Sequence, residues 1–486
     1  GLGDVYKRQV YEFFKKGIED GNNYYSLSQT RSRSAAFFAN ATYSYKGRYT
    51  VNGTARYEGT NRMGKSRSAR WLPTWNVSGA WNAHEEKFFS NLTSVLSHFT
   101  LKASYSLTAD RGPADVTNSQ AIITSYSPYR PFTSIQESGL YIKELENSEL
   151  TYEKKHELNI GADMGFLNNR INLAVDWYKR NNYDLIGIVN TQGAGGQILK
   201  YANIASMKSH GIEFTLSTKN IKTKDFNWNT DFIFSNAKNE VTDLKQNANV
   251  MELISGNGFA KQGYPVRGLF SIPFVGLDKD GIPVIINEKG EATSTDINFQ
   301  ERQNTGFLKY EGPTDPTITG SLGNMFSYKG FRLNLFITYS FGNVIRLNPV
   351  FKAYYSDLTA MTREFKNRWT LPGDEAKTNV PAILSKRMYD SNEDLKYAYN
   401  AYNYSTERIA KGDFIRLKEI SLAYDFPKAW INPLKLTDLS LKVQATNLFL
   451  IYADDKLNGQ DPEFFNAGGV ASPVPRQFTI TLRLGL

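Results

Sequence analysis

Apolar and polar residues alternate along this 486-residue chain in runs of about nine to eleven, and this restricts its fold more than any other feature. A period of two puts one residue set on each face of an extended strand, and about nine to eleven residues let a tilted strand cross a bilayer. In residues 331–341, Phe331, Leu333, Leu335, Ile337, Tyr339 and Phe341 take one face; Arg332, Asn334, Thr338 and Ser340 take the other, with Phe336 the exception. Phe99, Leu101, Ala103, Tyr105 and Leu107 alternate with Thr100, Lys102, Ser104 and Ser106. Leu439, Leu441, Val443 and Ala445 alternate with Ser440, Lys442, Gln444 and Thr446, and the chain closes on Phe478, Ile480, Leu482, Leu484 and Leu486. Shorter or less regular runs lie at 37–45, 49–57, 75–81, 158–166, 171–177, 212–216, 226–234, 319–328 and 415–426, with a weaker one near 270–277. The expected total is about fourteen strands. Ile415 and Leu417 are odd whereas Ile420, Leu422 and Tyr424 are even, which predicts a β-bulge near Lys418-Glu419.

A large soluble sandwich or propeller also alternates, so the medium needs separate arguments. Hydrophobic residues make up 41% and mean hydropathy is −0.45. That is too polar for a helical membrane protein, and no apolar run reaches the ~18 residues a transmembrane helix needs, but strands apolar on one face average out to such values. Aromatics reach 14%, and the apolar faces often end in Tyr, Trp or Phe, as interfacial belts do. The polar faces are rich in Ser, Thr, Asn and Lys, which suits a wet lumen. Connections come in two sizes. Lys46-Gly47-Arg48, Leu167-Asn168-Asn169-Arg170 and Tyr328-Lys329-Gly330 read as short turns; roughly 109–155, 180–210, 343–412 and 450–474 read as long loops. No blade-length repeat argues for a propeller. The fold class expected is all-β, a partial transmembrane antiparallel β-barrel with long extracellular loops and short periplasmic turns.

The net charge of +9 raises nucleic-acid binding, but no dense basic run or nucleic-acid motif accompanies it, so Lys and Arg dispersed over loops and strand ends are the reading and no nucleic-acid partner is expected. Absence of cysteine removes disulfides, thiolate metal sites and Cys nucleophiles together. Asp278-Lys279-Asp280-Gly281 resembles the start of a calcium loop, yet the twelfth position from Asp278 is Lys289 where a Glu is needed; a hairpin turn is the simpler reading. Gly193-Ala194-Gly195-Gly196 follows no buried parallel strand and reads as a flexible external loop rather than a phosphate cradle. His84, His98, His156 and His210 show no metal-ligand spacing, and no Gly-x-Ser-x-Gly elbow is present. No catalytic or metal residue, and no cofactor, is assigned. In Tyr397-Ala398-Tyr399-Asn400-Ala401-Tyr402-Asn403-Tyr404, rings two or three residues apart suit stacking on sugars. Tyr397, Tyr399 and Tyr402, with Trp369 in the same long loop, are the candidate substrate contacts. An interface girdle or packing within the loop explains them equally well.

Blocks along the chain then resemble a known family. They include Tyr45-Lys46-Gly47-Arg48-Tyr49, Leu101-Lys102-Ala103-Ser104-Tyr105-Ser106-Leu107-Thr108 and Tyr152-Glu153-Lys154-Lys155-His156-Glu157-Leu158. Ser209-His210-Gly211-Ile212-Glu213, Phe326-Ser327-Tyr328-Lys329-Gly330-Phe331, Arg368-Trp369-Thr370-Leu371-Pro372-Gly373-Asp374, Phe414-Ile415-Arg416-Leu417-Lys418, Asn447-Leu448-Phe449 and Pro475-Arg476-Gln477-Phe478-Thr479 follow in order. Together they resemble the C-terminal portion of SusC/RagA-type TonB-dependent transporters of Bacteroidota, from about residue 35 onward. The resemblance implies a barrel of about 22 strands around an N-terminal plug, a SusD-like surface lipoprotein that helps capture glycans or peptides, and TonB acting on an N-terminal box. It implies location in the outer membrane, in contact with its lipid. On this reading residues 1–34 are a truncated N-terminal segment whose opening Gly1-Leu2-Gly3-Asp4-Val5-Tyr6-Lys7-Arg8-Gln9 resembles library-adapter sequence. Residues 35–486 are the C-terminal part of the barrel, and plug, TonB box and signal peptide lie outside the chain. A passive porin is the alternative.

Overall fold

The computed structural model describes residues 10–17, 32–112, 121–126, 138–190, 199–355, 362–465 and 475–485. Thirteen strands form one sheet: β1 (Ser34–Tyr45), β2 (Tyr49–Thr60), β3 (Trp71–Asn82), β4 (Leu96–Asp110), β5 (Glu153–Phe166), β6 (Ile171–Asn190), β7 (Leu199–Lys222), β8 (Phe226–Leu244), β9 (Ile318–Tyr328), β10 (Phe331–Phe341), β11 (Phe414–Asp425), β12 (Asp438–Ala453) and β13 (Gln477–Gly485). Each pairs with the next, antiparallel throughout, and the sheet stays open with β1 and β13 at its edges. Thirteen of the expected runs are these strands. The weak run near 270–277 is not one of them. It contributes to two short strands, Gly268–Ser271 and Phe274–Leu277, that belong to other sheets. Leu269, Phe270, Ser271 and Ile272 are all at most 1% exposed, so protein covers both of their faces and neither meets lipid or lumen.

The register keeps the two faces apart. On one face Leu335 lies between Asn324 and Ile420, Ile337 between Leu322 and Leu417, and Val443 between Leu422 and Ile480. Phe336 pairs with Glu419 and Ile337 with Leu417, leaving Lys418 unpaired. This is the bulge that the parity slip predicts, and it returns both halves of β11 to the same facing. The other face carries cross-strand ion pairs, among them Lys102–Asp163 at 2.5 Å, Arg180–Glu157 at 3.2 Å and Arg332–Asp425 at 2.7 Å. A single-layer wall has no core of its own. Its apolar face is left bare, with Ile480 74%, Phe478 71% and Phe37 69% exposed, a surface that only hydrocarbon satisfies.

Connections alternate between two rims. On one rim lie 46–48, 83–95, 167–170, 223–225, 329–330 and 426–437; on the other lie 61–70, 245–317 and the described parts of 111–152, 342–413 and 454–476. The expected loop at 180–210 is mostly strand, because β6 and β7 run past the membrane as a hairpin. Their outward residues change there from Trp177 and Ile212 to Lys179 and His210, so the apolar alternation stops while the pairing continues. Gly193-Ala194-Gly195-Gly196 lies outside the described residues.

The buried core is in the second rim. Connections 245–317 and 342–413 fold together into one outer body. One cluster joins Ile282 to Phe351, Phe365, Leu384, Leu395, Tyr399 and Tyr402; the other joins Val250, Leu253, Ile254, Phe270 and Ile285 to Ala401. Backbone bonds stitch the two connections: Ile272 N to Tyr404 O and Thr406 N to Ile272 O, both 3.0 Å, and Ala382 N to Gly281 O at 2.9 Å.

Candidate functional site

The outer body and the inner face of the wall beneath it are the surfaces a solute meets first. The tyrosine-rich stretch is a helix, Leu395–Asn403, whose Leu395, Ala398, Tyr399 and Tyr402 form an i, i+3, i+4, i+7 stripe against the core. Tyr399 and Tyr402 are 2% and 3% exposed. Tyr399 Oη donates to Ala382 O at 2.6 Å, and burial raises the pKa of both phenols, keeping them neutral. Packing within the loop, the alternative weighed for these rings, is where the structure places these two. Tyr397 is 40% exposed, with the Lys396 ammonium over its ring at 5.3 Å.

Trp369 is half-buried against the same core and closes over Gly281. A Cβ at Gly281 would lie 2.5 Å from the Trp369 ring, and its φ of +75° belongs to the left-handed region, so glycine is required twice over. The Asp278-Lys279-Asp280-Gly281 turn thus has its explanation in packing. Asp278 Oδ1 accepts from Asp280 N at 2.9 Å and Ile282 N at 2.8 Å, and Gly281 N donates to Asp278 O at 3.0 Å. Two carboxylates fix the Trp369 loop. Glu375 Oε2 accepts from Trp369 Nε1 at 2.9 Å; Asp374 Oδ2 accepts from Leu371 N at 3.0 Å and Thr370 Oγ1 at 2.9 Å. The Leu371 and Trp369 bonds lead in holding the two acids below the usual carboxylate range. A depressed carboxylate stabilises above its ordinary pKa and loses that contribution as pH falls through the lowered value. The Trp369 anchorage is therefore expected to stay intact at pH 5 and to fail only below about pH 4. The difference in tryptophan emission between wild type and Trp369→Phe reads this; a difference spectrum already changing between pH 6 and pH 5 would refute it.

Sequence reasoning did not single out two further places. In the outer body, Lys261 and Arg302 share a recess with Gln246, Asn247, Gln262 and Thr305. Lys261 Nζ lies 5.0 Å from the Phe270 ring centroid and donates to Thr305 Oγ1 at 3.2 Å; burial alone lowers its pKa. Where the wall meets the outer rim, Arg56, Glu58, Thr74, Thr108, Arg111 and Tyr152 line a second recess. Arg56 Nη2 meets Glu58 Oε2 at 2.5 Å, and Arg111 binds the other Glu58 oxygen. An adjoining recess shares Thr108 and adds Asp110, Glu153, Lys155 and Asn182. Fixed donors and acceptors side by side suit sugar hydroxyls and peptide amides alike. No spacing in the sequence joins residues brought from five strands by register.

Residues 2–448 match the family model described as TonB dependent receptor-like, beta-barrel. The chain belongs to the TonB-dependent receptor β-barrel family. It is therefore an outer-membrane barrel chain, and the rim of short turns is its periplasmic side. Among curated relatives, it is 26% identical over 515 residues to the TonB-dependent receptor SusC of Bacteroides thetaiotaomicron, covering 98% of this chain and 47% of that protein. It is 25% identical over 446 residues to TonB-dependent receptor P3 of Formosa agariphila, covering 88% of this chain and 41% of that one. The structure of the RagAB peptide transporter matches with a TM-score of 0.73 at 23% identity, over 93% of this chain and 48% of that one, which shows the shared fold. This receptor chain spans 41–47% of the length of these two curated relatives. Its family is one of receptors and transporters.

Proposed function

We propose that this chain supplies the C-terminal wall and outer loops of a TonB-dependent importer of oligosaccharides or peptides, with the wall over residues 35–486. The observation that carries the reading is a family match over nearly the whole chain, on a sheet whose inner face is lined with paired charges. The importer works with a SusD-like lipoprotein over the outer body, and TonB engages it through the N-terminal region. Of the four aromatic candidates, Tyr397 presents its ring to substrate; Trp369, Tyr399 and Tyr402 hold the turn and helix that carry it. One solved relative, RagAB, is a peptide transporter and a curated relative is SusC, so both substrate classes enter the test. Uptake of labelled oligosaccharide and peptide pools is compared in cells carrying the full-length gene with and without TonB. Uptake of one pool, lost without TonB, is expected. TonB-independent uptake with steady conductance in a planar bilayer would establish a passive porin instead.

A further inference from the structure

Two periplasmic turns repeat the same four residues: Ser44-Tyr45-Lys46-Gly47 between the first two strands of the sheet and Ser327-Tyr328-Lys329-Gly330 between the ninth and tenth. In both, lysine takes a left-handed backbone, φ +53° at Lys46 and +43° at Lys329, followed by a glycine at +71° and +90°. Tight hairpins of this shape favour Asn or Asp before Gly, because other side chains are strained there. Both lysines bend the same way. The ammonium of Lys46 lies 5.1 Å from the centroid of the Tyr45 ring, and that of Lys329 lies 5.3 Å from that of Tyr328. Both rings are about half exposed and lie in the outward, lipid-facing register, Tyr45 opposite Tyr49 and Tyr328 opposite Phe226 and Phe331. Among the described residues, neither ammonium has a carboxylate within 4 Å. A third strained lysine, Lys435 at φ +57°, lies on the same rim in an exposed position. All lysines with a left-handed backbone among the described residues are therefore periplasmic, where turn chemistry alone favours a different residue.

From this repeated pairing of a strained, unpaired lysine with an outward tyrosine, we infer that the periplasmic rim binds the phosphate headgroups of anionic phospholipids in the inner leaflet. The tyrosine lies at headgroup depth as an interfacial anchor, and the lysine stem packs on it while its ammonium meets the phosphate. Part of the net charge of +9 thereby gains a partner. The inference rests on the outer-membrane placement and is independent of transport.

The test uses the full-length protein in a neutral detergent, titrated with phosphatidylglycerol or phosphatidylcholine and read by thermal midpoint. Phosphatidylglycerol is expected to raise the midpoint more than phosphatidylcholine, with the difference shrinking at high salt. In the Lys46→Asn/Lys329→Asn variant the apparent affinity for phosphatidylglycerol should fall about fivefold at each of the two turns, one charge being removed from each. Asparagine suits both turns, so the lipid-free midpoint should hold or rise. The charge-preserving Lys46→Arg/Lys329→Arg variant should keep its phosphatidylglycerol affinity. Equal responses to the two lipids, an unchanged affinity in the asparagine variant, or full competition by inorganic phosphate would each overturn the inference.

Discussion

Replacing Arg346 by alanine is expected to open the outer body while leaving the strand wall folded. Arg346 is 4% exposed and stands where the two long connections meet. Nη1 donates to Ser405 O at 2.9 Å; Nη2 donates to Phe270 O at 2.5 Å and Ser271 Oγ at 3.1 Å. Burial pulls its pKa down to about 9, with the Glu311 carboxylate opposing, so the side chain remains cationic at neutral pH. Its removal strips three buried acceptors of their donor and leaves Glu311, whose Oε1 has no hydrogen bond, with only Lys309 Nζ at 3.3 Å as a cation. Breaking such a buried arrangement from one side costs about 3–5 kcal/mol. Arg346→Lys recovers only part, because one ammonium cannot reproduce the fork that reaches two carbonyls. Hydrogen exchange on the full-length protein should accelerate across 245–317 and 342–413 with the amides of β8 to β11 still protected. Unchanged exchange in those two connections would refute the assignment of Arg346 as the pin of the outer body.

Legibility in the sequence followed the number of faces that each segment must satisfy. A wall strand has one lipid face and one wet face, so period two survives intact, and even the Lys418 bulge shows as a parity slip. Phe336, the exception in its run, stays on the wet face, opposite Gly323 and Glu419. The outer body obeys a different rule. Phe270, on a short strand, and Ile272, just after it, are covered from both sides, which mimics a weak alternating run without being one. The extended parts of β6 and β7 leave the lipid, with Ile186 and Tyr201 packed on Met63, Leu150 and Tyr152 of the rim, and alternation vanishes although the ladder goes on.

For the candidate site, the residue types were legible and their directions were not. Tyrosines 397, 399 and 402 look like a ring array when counted as a loop. Counted as a helix, Leu395, Ala398, Tyr399 and Tyr402 fall on one stripe, and only Tyr397 points away from it. That 3.6-residue signal was present in the sequence and favoured core over ligand. Lys261 and the Arg56–Glu58–Arg111 group had no such signal. Their neighbours come from distant segments, and an isolated Lys or Arg reads the same whether it faces a recess or open water.

Leu335→Arg and Asn334→Arg, adjacent on β10, should separate by about 2–4 kcal/mol, the cost of a cation near the bilayer midplane. Leu335 lies mid-strand in the outward set, between Asn324 and Ile420. An arginine there must be solvated by hydrocarbon or distort the wall to reach water. Asn334 faces the other way, its Nδ2 donating to Glu419 Oε1 at 3.4 Å. An arginine at that position meets an existing carboxylate across a wet lumen and should be nearly neutral. A soluble sandwich would also penalise Leu335→Arg, so depth supplies the deciding comparison. Phe331, in the same outward set but beside the periplasmic turn, should accept arginine at a cost of at most about 1 kcal/mol for the charge, because its head reaches the interface. Urea titrations of the full-length protein folded into lipid vesicles read all three. A penalty at Leu335 that falls away toward Phe331 follows from a membrane slab, whereas equal penalties along that face would mean a protein-covered core.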